Sequence, residues 1–515
     1  MADYKVLITT SGVGSRLGEL TNYTNKSLIR IGDKPVISYI LDNYPKDVEF
    51  VISLGHFGDH VKQFLNLTYP KLNITFVEVD KYKGVGSSLG YSVLKCKDEL
   101  NSPFIYHACD TLVNNFKIPK LDKNWIIGSN KKNSYHYRTI NQNEEDLIII
   151  NEKGELGFDL SYIGISGIKN YKEYFTILEQ IIYSKYKDPS DVHVINKMVK
   201  NFNFKTFEID NINWFDIGNS SELSRTRKYF HSGIEILDKK DETIFFIDNY
   251  VIKFFANDKI NNNRVKRSFK LGNLVPNIVD YSKNFYKYEK VEGNLFSKSV
   301  TNSKFKNFLE WSNINLWNHK EKLNFKEICN DFYIKKTKKR IKQYLKSDID
   351  KEELINGELI PSIYELINKI DSDWLCDGIP SQFHGDFILD NIIETDGKFT
   401  LIDWRQDFAG ELDIGDIYYD LAKLNHNLTV NHDIVNNKLY NYSTKNCFIM
   451  INSKLSECKE ELYLFIKKNG YDLRKVEMLT ALIWLNMSPL HEHPFNKFLF
   501  TFGKYNLFKN IIKYD

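Results

Sequence analysis

Apolar and polar positions follow two regimes along the chain. Through roughly the first 230 residues, short apolar runs recur at 4–10, 48–57, 73–80, 103–113 and 162–168, with an amphipathic segment at 59–65. Apolar runs alternating with helix-period segments predict β-α-β units, and so a mostly parallel sheet with helices on its faces. Two further runs within 243–255 predict a hairpin. Beyond it, helical patterns such as 348–370 and 458–468 predominate to the C terminus. Residues 224–242 are polar and charged between these regimes. The expected domains are therefore 1–232 and 233–515, in contact with one another because no long Gly/Pro/Ser linker separates them.

A length of 515 residues suits two or three domains, and 42% apolar residues suffice for full-size cores. Seventy basic residues against sixty-seven acidic ones leave a net charge of +3, so no strong field attracts nucleic acid or anionic membrane. The chain has no apolar run long enough for a membrane span. The opening MADYKVLITT reads as a strand and not as a secretory signal. The six cysteines lack CxxC or zinc spacing and read as reduced, buried thiols, which together imply a cytoplasmic protein.

The first candidate chemistry lies in SGVGSR at 11–16. Glycines after a strand bring backbone N–H groups close to phosphate oxygens, which marks Ser11, Gly12 and Gly14 as candidate nucleotide contacts. Arg16 adds a fixed cationic fork for the same phosphates. G-x-G alone is equally a plain turn. Lys26 follows in TNKSL, and G-x-K-P stands at 32–35. Together these resemble the sugar-1-phosphate nucleotidylyltransferase family, whose usual form is GGxGxR-L…PK; Ser11 replaces a glycine and Asn25 a proline. The resemblance implies a Rossmann-like nucleotidyltransferase domain in which Arg16 and Lys26 serve catalysis at the triphosphate. It places Ser88, in the Gly/Ser loop 83–93, near the nucleotide base, although a helix cap is an equal reading there. It makes Asp110 and Asp216 (of WFDIG) the ligands of Mg²⁺. Glu152 and Lys153 become acceptor contacts, with Gly154 departing from the family's proline.

In the second half, FHGDFILDNIIETDGKFTLIDWR at 383–405 places Asp386 directly after His-Gly, Asn391 five residues later, and Asp403 after an apolar run. Phosphoryl transfer from ATP needs a carboxylate to orient and deprotonate a hydroxyl, plus oxygen ligands for Mg²⁺. Asp386 suits the first task; Asn391 and Asp403 suit the second. The stretch resembles the choline-kinase and aminoglycoside-phosphotransferase family, with its HGD-x4-N and following D-W or D-x-E. This implies a C-terminal protein-kinase-like α+β phosphotransferase domain. It also implies ATP contacts at Lys253 and at the segment around Glu289, and a structural anchor at Asp420. An edge-strand lysine facing solvent is the alternative reading of Lys253, and the segment 261–271 lacks the glutamate that kinases pair with it. Arg405 stands where the family commonly has glutamate. It could neutralise an acid, bind an anionic acceptor, or make a surface ion pair.

The combined expectation is a bifunctional enzyme. The C-terminal domain phosphorylates a small hydroxyl compound, preferably a sugar, with ATP. The N-terminal domain then joins that phosphate to a nucleotide from NTP and releases pyrophosphate, yielding an activated building block such as surface polysaccharide assembly requires. One alternative acceptor is choline, ethanolamine or another small alcohol activated with CTP. An alternative of another class is a regulatory or scaffold protein with one domain reduced to ligand binding.

Overall fold

The strand Lys5–Thr9 lies at the centre of the first unit, hydrogen-bonded in parallel to Glu49–Leu54 on one side and Phe104–Ala108 on the other. The structure is a computed structural model that describes residues 3–131, 133–142, 148–184, 186–231, 239–346, 348, 350–442, 447–449 and 453–514. Asn73–Glu78 extends the parallel core, and Leu160–Ile168 runs antiparallel to Phe104–Ala108 and joins the remaining strands of a nine-stranded sheet. Val6, Leu7 and Ile8 are each fully buried. Val6 and Ile8 point to one core with the helix Gly58–Thr68, while Leu7 points to another with Tyr171–Tyr183 and Asp191–Met198. That is the period of two expected for a strand covered on both faces. The mixed α/β fold with a parallel-dominated centre agrees with the expectation.

Residues Met1–Asp258 and Val279–Tyr288 form this first compact unit, and Lys259–Ile278 with Glu289–Asp515 form the second. The expected boundary at 232/233 lies outside the described residues, and the compact units divide elsewhere. The hairpin Glu242–Ile247 and Tyr250–Phe255, expected with the second half, belongs with the first. It joins Phe285–Glu289 and Ile278–Tyr281 in a four-stranded sheet. Phe245, Ile252, Phe254 and Phe285 share one core with Phe64 of Gly58–Thr68. Lys287 donates to the Leu67 carbonyl at 2.6 Å, and Gln63 accepts from Asn284 N at 2.8 Å. The apolar face of that helix is wide enough to bury both the large sheet and the small one, which local periodicity could not reveal.

The second unit is mainly helical. Every residue of Ile417–Thr429 is buried, which makes it the unit's central helix. Leu473–Met487, Ser453–Lys468 and Phe495–Tyr514 account for the helical C-terminal pattern. The expected helix at 348–370 is not formed. Glu353–Ile355 and Glu358–Ile360 make a hairpin, followed by a short helix, Ile363–Asn368. Asn356 and Gly357 both take positive φ at the turn, and Pro361 bars helical continuation from the preceding strand. All six cysteines are buried and unbridged. Among the described residues no helix is long and apolar enough to cross a membrane.

Candidate active sites

In the first unit, a cavity of about 460 Å³ opens at the carboxyl edge of the parallel strands. Ser11, Gly12, Arg16, Lys26, Ser88, Asp110, Lys153 and Asp216, eight of the sequence candidates, line it. Gly14 takes φ 70° just before the turn that carries Arg16, where an L side chain would be strained. Ser88 caps the helix Leu89–Lys95 by accepting from Tyr91 N, as the cap reading expects, and it also lines the cavity.

Asn25 explains how the lysine loop manages without proline. Its side chain is fully buried, donates to the carbonyls of Thr10 and His56, and accepts from both N and Oγ of Ser27. These bonds pin the loop to the end of the central strand and deliver Lys26 to Asp110, with Nζ 3.1 Å from Oδ2. Burial opposes the Lys26 ammonium, but Asp110 and the Cys109 sulfur outweigh it and hold the pKa above its ordinary value.

Asp110 and Asp216 meet because Trp214–Asp216 pairs antiparallel with Thr111–Val113, Asp216 opposite Thr111. Gly218 closes the arrangement. Its N–H donates to Asp216 Oδ1 at 2.7 Å, and a Cβ placed on it would stand 3.0 Å from Asp216, 3.2 Å from Arg16 and 3.5 Å from Asp110. Burial would raise the pKa of Asp110, but Lys26 and Arg16 hold it below the usual range. Burial, with the charge of Asp110, raises Asp216. Two half-buried carboxylates set apart in this way suit one divalent cation, which would relieve their repulsion. With phosphate oxygens completing the shell, the donor set fits Mg²⁺. Among the described residues no cluster of three or more His, Cys, Asp or Glu side chains could hold a metal without such help.

Lys153 lies close to Arg16 and Arg138, and burial together with those charges lowers its pKa. Glu152 is not on the cavity wall. Its carboxylate is exposed and engaged by Arg138 and His193, each at 3.1 Å. Sequence reasoning missed Arg138, Tyr137, Tyr162 and Asp191, which also line the cavity. Asp191 is 2% exposed and accepts from Tyr162 Oη at 2.7 Å. Only its place after Ser190 at a helix start is visible in the sequence.

In the second unit the loop carrying Asp386 is held from three sides. Asp420, fully buried, accepts from His384 N at 2.8 Å, Gly385 N at 2.7 Å and Trp317 Nε1 at 3.2 Å. Burial pushes its pKa up to about 6 against those donors. Arg267, 1% exposed, donates to the carbonyls of Phe383, His384, Arg405 and Leu412. The Ile402 N–H donates to the Asn391 carbonyl at 2.8 Å, and His384 Nε2 donates to the Ile402 carbonyl at 3.0 Å. Asp403 is thereby fixed beside Asn391, with φ 58°.

Asn391 Nδ2 donates to the backbone carbonyl of Asp386 at 2.9 Å and to its Oδ2 at 3.1 Å. Lys423 Nζ is 2.7 Å from Asp386 Oδ1, and Arg264 pairs with Asp403 Oδ1. The structure thus brings together Asp386, Asn391 and Asp403, and adds the cations Lys423 and Arg264, neither of which sequence reasoning identified. Lys253 and Glu289 lie on strands of the small sheet. Lys253 is 3% exposed opposite Ile244, so the solvent-facing reading does not hold, while Glu289 is exposed at a strand end.

No family model matches the chain. Its sequence is similar to the bifunctional protein GlmU of Methanococcus vannielii, 22% identical over 242 residues, covering 44% of this chain and 55% of that protein. The chain thus spans little more than half the length of this relative. Among solved structures it is similar to the CTP:phosphocholine cytidylyltransferase LicC of Streptococcus pneumoniae, at 18% identity over 44% of this chain and 99% of that one, with a TM-score of 0.39. It is also similar to a putative glucose-1-phosphate thymidylyltransferase of Bacillus anthracis, at 19% identity over 46% and 98%, with a TM-score of 0.39. In sequence the similarity is to GlmU, and in both solved structures it is to a nucleotidylyltransferase.

Proposed function

We propose that the first unit transfers a nucleotidyl group from an NTP to a phosphate-bearing acceptor, and that the second unit makes that acceptor by phosphorylating a small hydroxyl compound with ATP. The observation carrying this reading is the convergence of Arg16, Lys26 and Lys153 with Asp110 and Asp216 on one cavity. An acceptor phosphate oxygen attacks the α-phosphorus, the bond to the β-phosphate oxygen breaks, and pyrophosphate leaves. Arg16 and Lys26 neutralise the triphosphate, and Lys153 holds the acceptor phosphate in line. Mg²⁺ on Asp110 and Asp216 would offset the charge developing on the transferred phosphate. No protein nucleophile is required.

The second activity is supported by the three-sided clamp on the Asp386 loop. Asp386 accepts the acceptor's hydroxyl proton, Asn391 and Asp403 would hold Mg²⁺, and the γ-phosphoryl group passes to the deprotonated oxygen with ADP leaving. Lys423, 2.7 Å from Asp386 Oδ1, keeps Asp386 aimed. The product of both steps is a nucleotide-activated building block, with a sugar as the favoured acceptor skeleton and surface polysaccharide as its use. The test is to supply ATP, NTP and Mg²⁺ with a panel of hydroxyl compounds and follow ADP and pyrophosphate separately. Pyrophosphate released without ADP formation from any compound, and without need for a pre-phosphorylated acceptor, would refute the two-step reading.

A further inference from the structure

We infer that the hydroxyl acceptor of the second unit carries an anionic group, a phosphate or a carboxylate, held by Lys336, Arg340 and Arg405 beside Asp386. This rests on the reading of Asp386 as the base of that unit.

The cluster is built around two rings. Lys336 Nζ lies 3.7 Å from the centroid of Phe332 and 5.7 Å from that of Tyr419. The Arg405 guanidinium lies 5.0 Å from the same Phe332 centroid. Tyr419 and Lys423 are one turn apart on the helix Ile417–Thr429, and Lys423 Nζ reaches Asp386 Oδ1 at 2.7 Å. The path from base to cluster therefore runs through a single helical turn. Arg340 follows Lys336 by one turn on Lys336–Leu345. A π-helical turn, Asp331–Lys335, directly precedes that helix and sets the rotation of Phe332 and Lys336.

Four cations converge here, and among the described residues the one carboxylate in an ion pair with any of them is that of Asp386, while Asp407 acts on Lys336 without pairing with it. Among the described residues Lys336 has no ion-pair partner; its contacts are the two ring faces. Arg340 donates to Gln343, and Arg405 donates to the backbone carbonyl of Asp407. Both leave guanidinium N–H groups uncommitted to charge. Burial, followed by the charges of Arg405, Arg340 and Lys423, holds the Lys336 pKa well below its ordinary value. Gathering like charges costs free energy in the free protein, and a bound anion would remove that cost. An acceptor bearing only a trimethylammonium or ammonium group would add to it. On this inference Arg405 is an anion contact instead of a surface ion pair, and choline and ethanolamine are disfavoured.

Two measurements on the full chain test the assignment. The first is calorimetric titration with inorganic phosphate, on the wild type and on a Lys336→Gln/Arg340→Gln variant whose fold is verified by its circular dichroism and melting profile. We expect one class of phosphate site to be lost in the variant while that of the first unit remains. Equal stoichiometry and affinity in both proteins would overturn the inference. The second is ATP turnover with matched hydroxyl compounds bearing a phosphate, a carboxylate, an ammonium group or no charge. Anionic compounds should be preferred at least tenfold in kcat/KM, and the variant should raise their KM with little change in the KM for ATP. Preference for neutral or cationic compounds would overturn the anion site while leaving the kinase reading intact. Phosphate binding at Lys336 without ADP formation from any compound would do the reverse.

Discussion

Asp216 stands directly opposite Thr111 in a short antiparallel pair, and this register places its carboxylate beside Asp110, more than one hundred residues earlier in the chain. The pair is a device for bringing two acids to one point at the edge of a parallel sheet.

Replacing either acid by its amide removes charge without changing shape. Asp110→Asn and Asp216→Asn should each lower pyrophosphate release by roughly 10²-fold or more, because the metal's template and its charge are lost together. ADP formation with the free acceptor should stay near the wild-type rate. Near-normal pyrophosphate release at limiting Mg²⁺ would remove that residue from the ligand set.

Asp386→Ala should lower ADP formation by about 10²- to 10⁴-fold while sparing nucleotidyl transfer to a pre-phosphorylated acceptor. Lys423→Met should lower it less, since Asp386 loses the ammonium 2.7 Å from its Oδ1 that aims it. An unchanged rate of ADP formation in Lys423→Met would argue against that role.

Asn25→Ala removes the side-chain partner of the Thr10 and His56 carbonyls and of both Ser27 donors. It should destabilise the first unit by about 2–3 kcal/mol and raise the KM for NTP more than it lowers kcat. A melting profile within error of wild type, with the same KM, would show that other contacts suffice to hold the loop.

His107 is buried, donates from Nε2 to the Thr111 carbonyl, and accepts the Tyr44 hydroxyl at Nδ1. Burial holds its pKa down to about 4, below the ordinary 6.5. The unfolded chain therefore binds a proton that the folded chain refuses. Stability is full above about pH 6.5 and declines as pH falls toward 4, by roughly 3 kcal/mol for this one group. His107→Gln should be less stable at pH 7 yet show a flatter fall in melting temperature between pH 6.5 and 4.5. An equally steep fall would place the acid sensitivity elsewhere.

A fragment ending at residue 232 would expose Phe64 and the helix face that covers Phe245, Phe254 and Phe285. Residues 1–258 retain the hairpin and should be more soluble, with a higher melting temperature. If both fragments melt alike, the small sheet is not a structural part of the first unit.

The local chemistry of this chain was legible without coordinates wherever a few consecutive residues carry it. The glycine turn before Arg16, the Ser88 cap, Asp110 at a strand end and the HGD loop each depend on neighbours within a turn, so spacing reveals them. The failures have the same cause in reverse. A 3.6-residue pattern over 348–370 outweighed one Asn-Gly dipeptide, although the dipeptide sets the backbone sign that makes a hairpin. Asn25 reads as a departure from proline until the carbonyls of Thr10 and His56 come within reach of its side chain. Arg264 and Asp403 are 139 positions apart, and the Lys336 cluster draws on three separate segments. Such pairings depend on how helices and loops pack, and packing is a property of the whole fold. The sequence by itself therefore determined which local motifs are candidates for chemistry. Only the tertiary structure decided which charges face them, and to which unit the small sheet belongs.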